Sequence, residues 1–105
     1  MSNETNFLNY NKITISGTII KEYPLRKTLN QKNINSFIIK HESLINENSH
    51  TRLIKCKLYC IVMDEAILIE QNLLNKNVTI DGFMSQNANG NLVLYVKQIK
   101  FYKGL

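Results

Sequence analysis

From Lys12 onward apolar and polar residues alternate. Ile13, Ile15, Gly17 and Ile19 share one face of an extended segment, with Thr14, Ser16 and Thr18 on the other. That pattern predicts a strand built on β-branched residues. Gly17 inside it predicts a bend or a close backbone approach, as at a barrel corner. Pro24 ends the pairing because it has no N–H to give. "TLNQKN" (28–33) reads as a hairpin loop. A second strand follows at about Asn35 to Ser43, with Phe37, Ile39 and His41 on one face and Ile38, Lys40 and Glu42 on the other. "INENSHT" (45–51) reads as a polar connection. In the third strand, about Arg52 to Val62, Ile54, Cys56, Leu58, Cys60 and Val62 point inward; Leu53, Lys55, Lys57, Tyr59 and Ile61 point outward.

"DEAILIEQNLLNKN" (64–77) is the one helix candidate. Asp64 suits the cap, and Ala66, Ile67, Glu70, Leu73 and Leu74 fall at helical spacing. "VTIDGFMS" (78–85) predicts a fourth strand with an internal glycine, and "QNANGN" (86–91) a hairpin tip. In the fifth strand Leu92, Leu94 and Val96 alternate, then Ile99 and Phe101 resume one residue out of phase, which predicts a β-bulge near Lys97–Gln98. Five short strands with a helix between the third and fourth are the layout of an all-β OB-fold, a Greek-key barrel. Residues 1–11, polar and rich in asparagine, read as a flexible tail, and 12–105 as the folded domain.

Composition narrows the function more than the fold. The chain of 105 residues is long enough for one modest core. Its first residues show no apolar segment of a secretory signal, and no stretch approaches the ~20 apolar residues of a membrane helix; a cytoplasmic protein without membrane contact is expected. A net charge of +5 favours a polyanionic partner. The excess of Asn, Ile and Lys has a second source in an A+T-rich coding genome, so the position of each charge matters more than the sum.

Three positions along the outward face of the third strand, Lys55, Lys57 and Tyr59, combine cations with an aromatic ring. On an exposed sheet such a set supplies phosphate contacts and a stacking platform; a solvated sheet face is the competing reading. Arg26 and Lys27 stand at the rim of the first loop. Arg52 opens the third strand, where pairing with Glu42 or Glu47 competes with a binding role. Tyr23, Tyr95 and Tyr102 are either helpers or packing residues. Cys56 and Cys60, four strand residues and hence ~13 Å apart, are too distant for a disulfide. They read as buried free thiols rather than metal ligands, and His41 as a structural hydrogen-bonding residue. No phosphate-cradling glycine loop, carboxylate cluster or nucleophile–histidine signature is present, so neither an enzyme nor a cofactor is expected.

"SGTIIKEYPLRK" (16–27), "FIIKHES" (37–43), "VTIDGFMS" and the closing "YVKQIKFYKG" (95–104) resemble the primosomal replication protein N family, also called primosomal protein B. The resemblance runs from about Lys12 to Gly104. It implies a non-enzymatic, homodimeric OB-fold that binds single-stranded DNA during replication restart within the primosome. The implied partners are the restart helicase, primosomal protein A, and helicase-loading factors. Lys27 and Arg52 match basic family positions that contact DNA. The chain departs from the family at Lys55, where several relatives have an aromatic, at Glu42 and at His50. It departs again in "SQNANGN" (85–91), which lacks the loop lysines. These departures leave two rivals open: a protein-interaction adaptor whose DNA affinity has decayed, and an RNA-binding OB module.

Overall fold

The computed structural model describes residues 10–63, 67 and 72–102. Six strands follow one another: β1 (Ile13–Glu22), β2 (Arg26–Lys27), β3 (Asn33–Glu47), β4 (His50–Val62), β5 (Asn77–Gln86) and β6 (Leu92–Tyr102). The sheet order is β1-β5-β6-β4-β3-β2, and β1 also pairs with β3, so the pairings of the five long strands run in a closed circuit. All are antiparallel except β4 with β6. The sixth strand beyond the five expected is β2, which adds a two-residue pairing to Ile34 and Asn33.

The circuit closes because β1 changes partners midway. Ile13–Thr18 pair with β5, and from Thr18 to Glu22 the strand pairs with β3, with Ile20 as the extra residue of a bulge. Gly17 sits at the changeover, where a Cβ would lie 2.7 Å from the Lys40 carbonyl oxygen; the close approach expected of this glycine is present. The phase slip in β6 is also real: Asp81 pairs with Gln98 and Gly82 with Val96, leaving Lys97 unmatched.

Inward residues from every long strand form the core, including Ile19, Phe37, Ile39, Cys60, Val62, Val78, Ile80, Leu94 and Val96. Leu73 joins them from a turn. The expected helix over 64–77 falls largely outside the described residues, and no helix occurs among those described. Its described end is a turn because Asn72 and Asn75 take φ of 58° and 67°, which a right-handed helix does not admit. That turn docks on β1: Asn75 N donates to the Ile19 carbonyl (2.7 Å) and Ile19 N to the Lys76 carbonyl (2.9 Å).

The connection expected at 45–51 is shorter than its polarity implies. β3 runs to Glu47 and β4 starts at His50, leaving a two-residue loop, Asn48–Ser49, with φ of 48° and 67°. Positive φ at both residues is the condition for a tight type I′ hairpin. The β3–β4 ribbon therefore projects as an arm, with Leu44 70% and Leu53 54% exposed on it.

This arm corrects the reading of Cys56. Its strand parity is that of Cys60, but it lies beyond the core and is exposed. Cys60 is fully buried, and burial pushes its thiol from 9.0 up to about 12, opposed only in part by a hydrogen bond to the Ile39 backbone. The folded chain thus holds that proton more tightly than the unfolded chain. Its contribution to stability is complete below about pH 9 and is lost as pH rises toward 12. Iodoacetamide at pH 8 is expected to modify Cys56 in the native protein and Cys60 only after denaturation. Equal modification of both native thiols would contradict the burial difference.

His41 serves the fold as expected. Ile13–Gly17 pair on one side only, and the His41 ring meets that open side, with Nδ1 2.7 Å from the Ser16 carbonyl oxygen. A carbonyl only accepts, so Nδ1 carries a proton, and Nε2 lies 2.8 Å from the Ser43 hydroxyl oxygen.

Candidate nucleic-acid interface

The outward face of the β3–β4 ribbon follows from register. Ser36 lies opposite Ile61, Ile38 opposite Tyr59, Lys40 opposite Lys57 and Glu42 opposite Lys55. Phe37, Ile39 and Cys60 point to the core, so these alternate positions face out. Lys55, Lys57 and Tyr59 therefore form one line, as the alternation predicted. Lys40 contributes a further cation, held at 3.2 Å by Glu42. With Lys55 on the other side of Glu42, the face retains a positive balance.

At the end nearest the β1–β2 connection this face meets a hollow of about 270 Å³ lined by Tyr23, Pro24, Arg26, Ser36 and Tyr59. Tyr23 and Tyr59 meet edge to face, centroids 5.7 Å apart at 81°. Lys21 Nζ lies 5.0 Å from the centre of the Tyr23 ring, a cation–π distance. Tyr23 is fixed from its backbone, its N–H donating to the Ser36 carbonyl at 3.0 Å. The outward row continues across the sheet: Ile61 pairs with Tyr95 and Tyr95 with Phe83, whose rings stack at 5.4 Å and 13°.

The structure thus brings Arg26 and Tyr59 to one hollow and sets Lys57 and Lys55 along the strand leading from it. Lys27 is exposed on β2 but does not line the hollow. Arg52 stands apart: its even position places it on the other face of the ribbon, where it donates to Glu47 at 2.7 Å. Both partners are more than half exposed, so this bridge is worth little stability; it engages one nitrogen of the guanidinium. Of the three tyrosines left open by the sequence, Tyr23 belongs to the site and Tyr95 to the adjoining stack. Tyr102 accepts a hydrogen bond from Thr79 at 2.8 Å and lines a polar groove with Ser16, Thr18 and Asn77 that borders this face at Lys40 and Glu42. Lys21, whose facing the sequence leaves open, joins the site at the Tyr23 ring, and Ser36 was not anticipated. A tyrosine just before a proline with a cation on either flank was the available signal for Tyr23 and Lys21; for Ser36 there was none.

Residues 11–98 match the model of a family described as "another single-strand binding protein family". The chain belongs to that single-strand binding protein family. Its relatives include the replication restart protein PriB of Neisseria gonorrhoeae, 27% identical over 96 residues that cover 90% of this chain and 96% of the relative. Among solved structures, the N-terminal domain of PriB from Thermoanaerobacter tencongensis, a dimer, has a TM-score of 0.67 at 17% identity, covering 90% of this chain and 98% of that one. The Plasmodium falciparum SSB complex with ssDNA has a TM-score of 0.73 at 11% identity, covering 94% and 100%. At these identities the structural likeness speaks to the fold, and the family model to membership.

Proposed function

We propose that the protein binds single-stranded DNA without catalysis and acts in replication restart. The closed strand circuit is read as the OB barrel, and the β3–β4 outward face as its DNA platform. The observation that carries this is the continuous line from the Arg26–Tyr23–Tyr59 hollow through Lys57 to Lys55. Cations there meet phosphates while aromatic faces meet bases, and neither contact requires a particular sequence. The restart relative and the SSB complex with ssDNA support the same reading. Lys27 adds a phosphate contact from the loop side, and Arg52 contributes only where DNA displaces Glu47. The protein acts as a homodimer that engages the restart helicase and helicase-loading factors; a stable monomer by light scattering at micromolar concentration would count against the dimer.

Titration of fluorescent oligo-dT and oligo-rU of equal length, at two salt concentrations, tests this reading. Salt-sensitive binding that favours oligo-dT is expected, and Lys27→Ala should shrink the salt slope by about 0.7 without unfolding the protein. A preference for oligo-rU would instead support an RNA-binding module. Binding to neither would favour a protein-interaction adaptor, the reading to which the exposed Leu44–Leu53 pair on the arm lends weight.

A further inference from the structure

Ser36 is an unusual member of β3. It faces outward by register, opposite Ile61, yet it is only 2% exposed. Its hydroxyl oxygen is buried without a hydrogen-bond partner. A buried hydroxyl left unpaired is costly, and most such groups in folded proteins find a partner. Ser36 lines the hollow together with Tyr23, Pro24, Arg26 and Tyr59.

The chemistry of this hollow is that of a planar, polar-edged ring with a nearby anion. Two aromatic side chains supply flat surfaces, and a Lys21 ammonium already sits at the Tyr23 ring. The Ser36 hydroxyl both donates and accepts, matching a ring edge that carries N–H or carbonyl groups. The exposed Arg26 guanidinium offers a fork suited to phosphate oxygens. An aliphatic side chain would leave the hydroxyl unpaired, and an isolated phosphate would leave both tyrosines unused.

We propose that this hollow captures one unstacked base of the bound strand. The edge of that base supplies the partner that Ser36 lacks, and Arg26 holds an adjacent phosphate. The tyrosine pair parts to admit the ring. The inference rests on the single-stranded DNA reading above and sharpens it: binding that is sequence-tolerant along Lys55 and Lys57 becomes base-selective at one position.

The test uses the full chain with oligo-dT, oligo-dC and oligo-dA of one length at fixed salt. The wild-type protein is expected to rank the three. Ser36→Ala should weaken the preferred oligonucleotide about 2- to 10-fold, the worth of one hydrogen bond. It should compress the ranking, keep the salt slope and leave thermal stability undiminished, since it deletes an unpaired buried hydroxyl. Arg26→Ala, at an exposed position, should do the reverse: the salt slope shrinks by about 0.7 while the ranking persists. Salt-sensitive binding with no base ranking, or a ranking that survives Ser36→Ala intact, would overturn the base pocket and leave the DNA platform standing. An unchanged slope in Arg26→Ala would overturn the pocket as drawn. Failure of the wild-type protein to bind any of the three would overturn both readings.

Discussion

Lys55→Trp is expected to bind single-stranded DNA more tightly than the wild-type protein at high salt and to show a flatter salt dependence. Lys55 is exposed in the middle of β4, on the outward line with Lys57 and Tyr59 and opposite Glu42. Its own contribution is a phosphate contact, which salt weakens by counterion competition. An indole at that point gives up the contact, flattening the slope by about 0.7. It adds base stacking worth about 1–3 kcal/mol, or roughly 5- to 150-fold in affinity. Low-salt affinity changes less because the two effects oppose each other. Lys55→Ala makes only the loss, seen chiefly at low salt. Titrations at several salt concentrations separate the three proteins; Trp and Ala variants that behave alike throughout, both folded, would show that DNA does not lie on this face.

Gly82→Ala is expected to destabilise the fold by about 3 kcal/mol or more, the range of severe overpacking. A Cβ there would run into the Tyr95 carbonyl oxygen, with the carbonyl carbon at 3.0 Å and Leu94 Cδ1 at 3.3 Å. The obstacle is backbone, so a side-chain rotation does not relieve it. It arises where the unmatched Lys97 shifts the β5–β6 register and brings the two strands together. A melting temperature lower by roughly 10–20 °C is the corresponding signal. A midpoint within 3 °C of wild type would mean that β6 accommodates the methyl group and that the bulge is not rigid. Because Phe83 follows Gly82 and stacks on Tyr95, the same substitution loosens the aromatic row beside the hollow.

Alternation was enough to locate the five long strands and to assign their faces, because a half-buried strand imposes a period of two on its side chains. The slip between Val96 and Ile99 disclosed the Lys97 bulge for the same reason. Period alone does not report depth. Cys56 and Cys60 share a face, but Cys56 lies on the arm, where no second layer covers it. Polarity misled in the opposite sense at Ile45–Thr51, since exposed ribbon and loop have similar composition; the decisive detail was the left-handed geometry of Asn48 and Ser49. The helix expected at 64–77 gave way, where the chain is described, to the same preference of asparagine at Asn72 and Asn75.

The site divides along similar lines. Lys55, Lys57 and Tyr59 could be placed together because one strand holds all three. Tyr23, Arg26, Ser36 and Tyr59 come from three strands and a connection, so their hollow exists only once β3 pairs with β4 and Tyr23 bonds to Ser36. Arg52 illustrates the converse. Its charge was legible, and Glu47 was one of two partners weighed for it, but the tight turn that brings Glu47 across the ribbon was not.

Equilibrium titration of labelled oligo-dT by the wild-type protein over a range of salt concentrations tests the central claim most directly. If Arg26, Lys27, Lys55 and Lys57 each neutralise a phosphate, the logarithm of affinity should fall linearly with the logarithm of salt, with a slope of roughly −3. No binding at low salt, or an affinity indifferent to salt, would contradict the claim that this face is a single-stranded DNA platform.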